Sequence, residues 1–506
     1  MADAQDPVPG HAPAESGSGA EMLSEIDFLA TVEAGPAAVR GGTIRVGSFM
    51  AGSLVSVGVA ALLFRHLGVV DTGRYTTALS LSAVVTGFTD LGLTAIGMRE
   101  FAVLRGEERA TLARNLLGIR LVLTVVGVIL ISAFAFLAYG RTLGLGVLIA
   151  GAGVLLQNTQ TTLMVPLMAE LRLGWVAALE LARQMVNAAL IVMLVLVGAQ
   201  LLPFFAVAGV AAAVMLPVTA LRVRELIPLT ASFDTTQWRA LVGPVMTYSA
   251  AVAASSLYFR VAIVLVSLIA SAHQLGYFSI SFRVVEVLFV VPGLLVGAAF
   301  PIFARAARND PARLAYALSR VFEVSLIVGV WVSLSIAVGA RLAIEVIGGA
   351  HFLPATPILA VQGVAVGATF VTSVWGYGML SLHLHRLILT FNLVMLAVVA
   401  IVVTVLTALN GAQGAAIGTA STEVMGAIVS GLLLVRGRPH LKPRLRVVPR
   451  VAFAALLGAT PALAGGLPIV VRLLLSTVIY VVVLIALKAP PAELLTLAPV
   501  RLRERR

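Results

Sequence analysis

GRYTTALSL, from Gly73 to Leu81, has a counterpart roughly 200 residues further on in GYFSISFRV, from Gly276 to Val284; in each, a glycine and an aromatic open a long apolar run. A register one residue shorter sets LRGEERATL (Leu104–Leu112) over AARNDPARL (Ala306–Leu314), two charged loops that follow those runs. Such self-similarity means one structural unit used twice. A membrane crossing needs about 20 apolar residues, and on that rule the chain reads as about 14 spans, six in each unit and two more at the end. Units with an even number of spans share one orientation, so these are parallel repeats, and two similar lobes facing each other enclose a cleft. The expected fold class is an all-α polytopic membrane protein with two pseudo-symmetric six-helix lobes around a central cavity, plus two C-terminal helices.

Composition points the same way. Of 506 residues, 60% are apolar and 11% charged, far from the balance of a soluble domain. Cysteine is absent, which removes disulfides and thiolate metal sites. Only Lys442 and Lys488 among 35 basic residues are lysines, a bias that fits a GC-rich bacterial genome. Segment 1–42 holds Asp3, Asp6, Glu15, Glu21, Glu25, Asp27 and Glu33 and lacks the basic-then-apolar pattern of a signal peptide, so it reads as a disordered acidic cytoplasmic tail. The remaining divisions are an N-lobe over 43–222, a cytoplasmic linker over 223–241 and a C-lobe over 242–437. A basic cytoplasmic loop over 438–450, helices 13 and 14 over 451–487 and a basic cytoplasmic tail over 488–506 complete the chain.

With the N-terminus inside, twenty-seven of the 35 basic residues, Arg120 among them, fall in cytoplasmic segments; five fall outside and three within spans. Short cytoplasmic loops carry such an excess. Both termini are therefore placed in the cytoplasm, and the net charge of +12 is read as topology plus attraction to anionic inner-leaflet lipid rather than nucleic-acid binding.

The segment FRHLGVVDTGRYTTALSLSAVVTGFTDLGLTAIGMREFA (Phe64–Ala102) resembles the first-hairpin signature of polysaccharide-type flippases, the Wzx branch of the multidrug/oligosaccharidyl-lipid/polysaccharide (MOP) exporter superfamily. LGYFSISFRVVEVLFVVPGLLVGAAFPIFARAA (Leu275–Ala307) is similar to that family's eighth helix and its proline-containing end. The likeness runs from about Thr43 to Gly437 and is made of many weak positions. It implies two lobes forming a V-shaped cavity, alternating access, and a polyprenyl-diphosphate-linked oligosaccharide as cargo, moved across the bacterial plasma membrane for cell-surface polysaccharide synthesis. Implied partners are that glycan lipid, membrane lipids and the polysaccharide polymerase machinery, with the chain itself a monomer. The related lipid II flippases carry a similar arginine and glutamate three apart on their eighth helix, and their last two helices form a groove thought to receive the lipid tail.

Ionisable groups inside spans cost about 2.5–3.5 kcal/mol on insertion scales and so face a cavity or a partner. Arg283 and Glu286 lie about 12 and 16 Å into the eighth span, and Arg260 about 12 Å into the seventh from the same side. Ser256 shares a helix face with Arg260, and Ser279 shares one with Arg283 and Glu286. Two guanidiniums at one level would cradle a diphosphate; against this, Arg283 and Glu286 would also make a self-neutralising pair, and Arg260 would reach the outer headgroups. Glu180 and Arg183 repeat the three-residue spacing in the fifth span. Asp90 suits ion coupling or helix packing equally. Glu423, near the middle of the twelfth span with no basic residue within a turn, suits a proton-coupled step. Gln157, within QNTQTT (Gln157–Thr162), and Asn187 read as cavity lining or interhelical hydrogen bonds.

Nothing points to a cofactor or metal. No phosphate-binding glycine loop with Lys-Ser or Lys-Thr is present, and His383 and His385 have no acidic or cysteine neighbour to complete a metal site. The chain reads as a carrier, not an enzyme. Its nearest rival reading is a multidrug/cation antiporter of the same superfamily, whose cavities usually favour acids. A membrane glycosyltransferase or ligase would need a larger outer loop than the stretch from Arg341 to Thr356.

Overall fold

The computed structural model describes residues 34–490, apart from 91, 244, 245 and 465. Among them there is no strand, and apart from short 3-10 turns and loops all is α-helix. In chain order the first half holds α1 (Ala34–Asp90), α2 (Leu93–Val103), α3 (Gly106–Tyr139), α4 (Arg141–Leu163), α5 (Val165–Ala169), α6 (Leu173–Leu196) and α7 (Leu201–Val223). After α8 (Thr235–Val242) come α9 (Met246–Ile269), α10 (Ala272–Leu288), α11 (Val290–Gly297), α12 (Phe300–Asn309), α13 (Pro311–Gly348), α14 (Thr356–Ser381) and α15 (His385–Gly437). α16 (Val447–Gly458) and α17 (Ile469–Ala486) close the chain. Helix is what so apolar a chain must form in lipid, because it satisfies each backbone polar group within its own segment. Among the described residues ten helices are long and apolar enough to cross a membrane, or eleven if α9, bent by 43° between Ser249–Tyr258 and Arg260–Ile269, counts as one span.

Two of the longest helices double back. α1 breaks at Gly68, whose φ of 72° only glycine adopts without strain, and α15 breaks at Asn410 and Gly411. Elsewhere the same turns occur twice. Gly140 ends α3 with φ 78° and ψ −170°, and Gly349 ends α13 with φ 77° and ψ −170°. Leu171 and His383 both sit at φ 56°, and the next residues, Arg172 and Leu384, donate their N–H groups five residues back, to Leu167 and Met379, at 2.9 and 3.0 Å. The turn at Gly140 thus matches that at Gly349, and the turn at Leu171 matches that at His383.

Within the first half α4 packs on α3 and α7, and α6 on α1 and α7; within the second, α14 lies between α13 and α15, and α9 packs on α15. The halves meet where α1 runs against α9, α10 and α13. At that seam Gly73 abuts Leu275 and Gly276, and a Cβ on Gly276 would stand 2.1 Å from the carbonyl oxygen of Val69. The Arg65 guanidinium donates to the carbonyls of Glu345 and Val346 at 3.1 and 2.7 Å, and Tyr139 hydrogen-bonds Ser267 at 2.7 Å. Further along α1 the halves touch again, at Gly87 against Ser256. Tyr480 of α17 donates to the carbonyl of Ile327 at 2.9 Å and ties the last helices to α13.

Several expectations need correction. The tail expected over 1–42 lies outside the described residues as far as 33, but α1 starts at Ala34, so the end of that segment is helical. The expected linker carries α8, capped by Asp234, whose Oδ1 accepts from the N–H groups of Thr236 and Gln237; Ser232 donates its N–H to Arg114 at 2.9 Å, so the linker is strapped to α3. Of the segment 451–487 expected to hold helices 13 and 14, the first helix stops at Gly458, because Pro461 lies in the 3-10 turn Thr460–Leu463 that follows. Arg120, sorted with the cytoplasmic arginines, is 4% exposed within α3.

The seam at Gly276 has a direct test. Gly276→Ala should lower stability by about 1–3 kcal/mol, since a backbone carbonyl cannot swing aside as a side chain does. Gly293→Ala, where a Cβ meets nothing within 4 Å, should leave it unchanged. Thermal unfolding of the two purified variants in detergent reads the difference.

Candidate functional site

Between the two zones of contact lies a cavity of about 760 Å³, lined from both halves. α1 supplies Ser56, Thr76, Ser80, Ser82 and Thr86, α4 supplies Gln157, and α6 supplies Gln184 and Asn187. α9 supplies Ser256 and Arg260, and α10 supplies Arg283 and Glu286. Of the residues expected at a central site, Arg260, Arg283, Glu286, Ser256, Gln157 and Asn187 thus line one cavity.

Its charged groups form a triad. Glu286 accepts from Arg260 through Oε1 and from Arg283 through Oε2, the latter at 2.9 Å. Arg283 also donates to Ser56 Oγ across the seam at 2.7 Å, and the Arg260 guanidinium stands 5.8 Å from the centre of the Phe282 ring. A carboxylate inside a membrane protein needs a cation, and here it has two. The pair expected within α10 exists, but it does not neutralise the site, because Arg260 adds a second positive charge to the same carboxylate. One uncompensated charge remains facing the cavity.

The other expected residues lie elsewhere. Ser279 is fully buried, its Oγ without a partner, and does not line the cavity. Asp90 belongs to a separate network, in which it accepts from Arg120 and, at 2.6 Å, from Thr94, while Arg120 also reaches Thr162 at 3.3 Å. Asn158 donates to Thr89 and Thr124 at 2.9 and 3.0 Å, so QNTQTT divides between cavity lining at Gln157 and interhelical bonding at its buried members. Glu180 and Arg183 pair with each other at 2.8 Å, away from the cavity. Glu423 lacks a basic neighbour but not a partner: Tyr258 hydrogen-bonds it, beside a void of about 30 Å³ also lined by Gln362, Thr419 and Thr422. That void has room for about one water.

Sequence reasoning missed Arg120, Ser56 and Gln184. Asp90 alone signalled Arg120, since an acid in an apolar helix demands a cation. Gln184 was signalled by Asn187, one turn away on the same face. A lone serine such as Ser56 gives no signal.

No protein-family model and no curated protein matches this chain in sequence. Solved structures match its fold. It is 12% identical to the lipid II flippase MurJ in an inward closed conformation, covering 87% of this chain and 98% of that one, with a TM-score of 0.74. An inward-facing multidrug resistance MATE family transporter of the MOP superfamily is 14% identical over 79% of this chain and 98% of its own, with a TM-score of 0.59. The MATE multidrug transporter DinF-BH is 16% identical over 81% and 97%, with a TM-score of 0.58. At such identities the likeness shows a shared fold.

The Asp90–Arg120 network makes its own prediction. Arg120→Met leaves the part-buried Asp90 without its cation and should cost about 1–3 kcal/mol, whereas the Asp90→Leu/Arg120→Met double variant should recover much of it. Denaturation of the purified variants measures both; equal losses in single and double variants would refute the coupling.

Proposed function

We propose that this chain is a Wzx-like flippase that carries a polyprenyl-diphosphate-linked oligosaccharide from the inner to the outer leaflet of the bacterial plasma membrane. The observation that carries the reading is the Arg260–Glu286–Arg283 triad on the wall of the cavity. In the empty site Glu286 holds both guanidiniums in place. A diphosphate brings oxygens that match their planar forks and more negative charge than one carboxylate, so it displaces Glu286 from at least one of them. Glu286 returns as the cargo leaves, which keeps the arginines from being stranded in a desolvated space. A cationic drug would instead meet net positive charge, and this disfavours the multidrug antiporter.

The arrangement we infer is fourteen helices, with two six-helix lobes as parallel repeats and α16 and α17 appended. The recurring turns at Gly140 and Gly349, and at Leu171 and His383, support it. The two breaks, at Gly68 and Gly411, each divide one long helix into two spans. The excess of arginine in alternate loops supports cytoplasmic termini. On that orientation the contacts of Arg65 and Gly276 close the outer mouth, and Gly87 with Ser256 narrows the path inward; exchanging these contacts is alternating access. Glu423 with Tyr258 is the acid best placed to take a coupling proton, while the lipid tail stays in the bilayer. Glycan lipid and membrane lipid are then the partners, with the polysaccharide polymerase machinery downstream.

In proteoliposomes, Arg260→Ala and Arg283→Ala should each slow translocation of a labelled polyprenyl-diphosphate oligosaccharide by about tenfold or more, and Arg283→Lys should restore it only in part. Full activity in these variants and in Glu286→Gln, at normal membrane levels, would sink the reading. Because the chain has no cysteine, Ala60→Cys places a single thiol on the cavity wall. An impermeant maleimide applied from outside should label it faster when Arg65→Ala removes the bonds to Glu345 and Val346.

A further inference from the structure

The cavity wall is chemically divided. Every charged lining group, Arg260, Arg283 and Glu286, comes from α9 and α10. The lining contributed by the first half is uncharged, yet it holds three carboxamides, Gln157, Gln184 and Asn187, with the hydroxyls of Ser80, Ser82 and Thr86. Ser80 and Ser82 are 0% and 4% exposed, and neither Oγ has a hydrogen-bond partner. That state alone does not mark a site, since Ser279, away from the cavity, shares it; what sets Ser80 and Ser82 apart is that they line the cavity beside the carboxamides. Each carboxamide adds donors and an acceptor, so the wall accepts groups that both donate and accept.

The amides are also spread out. α4 and α6 are joined through α5 at one end, so the Arg141 end of α4 and the Leu196 end of α6 lie on the same side. At 1.5 Å per residue Gln157 is about 24 Å from the first and Asn187 about 13 Å from the second. The polar groups therefore form a strip about 10 Å long rather than a single point. A phosphate needs neither the length nor the acceptors, whereas a chain of sugar rings presents alternating hydroxyls over that distance.

From this we infer that the first half carries a separate subsite for a neutral, hydroxyl-rich oligosaccharide, formed by Gln157, Gln184, Asn187, Ser80 and Ser82. The inference rests on the flippase reading above and deepens it: the arginines hold the diphosphate, which every such lipid shares, and the amide strip reads the sugars, which differ. No carboxylate lies on the strip, so nothing on it favours a cationic amino sugar.

The test compares two fluorescent lipids in proteoliposomes, a polyprenyl diphosphate bearing a neutral trisaccharide and the same lipid without sugar. Gln157→Leu/Asn187→Leu should slow the glycan lipid by about tenfold, the sum of two lost hydrogen bonds, and leave the bare lipid unchanged. Ser80→Ala/Ser82→Ala removes hydroxyls that bond nothing in the empty protein. It should unfold at the same temperature as the wild type or higher, while its glycan rate falls by roughly threefold to tenfold. Equal slowing of both lipids would reveal a packing role and overturn the subsite. So would unchanged rates in both variants while Arg283→Ala still abolishes transport, an outcome that leaves the flippase reading standing. A wild-type protein that moves neither lipid overturns that reading, and the subsite with it.

Discussion

The close approach of Gly73 and Gly276 is the constraint on which the rest of the molecule depends. These are the glycines that open the two related segments, and in the folded chain they touch each other. On the repeat we propose, these are equivalent positions, and equivalent residues meet in this way near an axis that exchanges the two units. Backbone packed on backbone leaves no slack, since the next atom outward from Gly276 is the carbonyl of Val69. From that pinch the helices diverge, and the space that opens between them is the cavity. Arg283 and Glu286 lie about 10 and 15 Å further along α10, within the opened region.

Two part-buried clusters of charge differ in their balance. Asp90 and Arg120 are matched one to one in charge, with Thr94 and Thr162 taking further bonds, although Arg120 Nε is left without a partner. The triad is mismatched in its count: one carboxylate, two guanidiniums and a serine. Because each ion carries a desolvation cost of several kcal/mol, an odd charge persists in such a place only where something else offsets it. On the function we propose, an arriving anion is that counterpart, and the bonds that Glu286 accepts keep the site assembled until it comes.

Much of this was legible in the sequence, and the failures have physical causes. The all-helical membrane character and the charges inside it could be read because lipid penalises every misplaced polar group, which makes hydropathy and charge unusually informative. Arg260, Arg283 and Glu286 followed from cost alone. Ser279 did not, although it shares a helical face with Arg283, because a face says nothing of what covers it. Near Gly276 the halves are in contact and Ser279 is enclosed; one turn deeper they have parted and Arg283 meets the cavity. Arg120 was misplaced because α3 begins at Gly106 and carries charge through its first turns, so hydropathy locates the apolar stretch later than the helix itself. The early end of the thirteenth helix was marked by Pro461, but apolar residues beyond it masked the stop.

The halves share turns down to a few degrees and yet line the cavity with different chemistry. A repeat conserves what the backbone must do, which is to cross, turn at a glycine and return, while side chains facing an internal space are released from that duty. Had both halves kept arginines at the cavity, like charges would face each other across a poorly hydrated gap, and the closed state would be opposed by their repulsion. Placing the charge on one wall and neutral donors and acceptors on the other lets the halves approach when empty, with Ser56 accepting from Arg283 across the gap. That bond across the gap is weak enough to yield to a ligand and directional enough to hold an arginine in place.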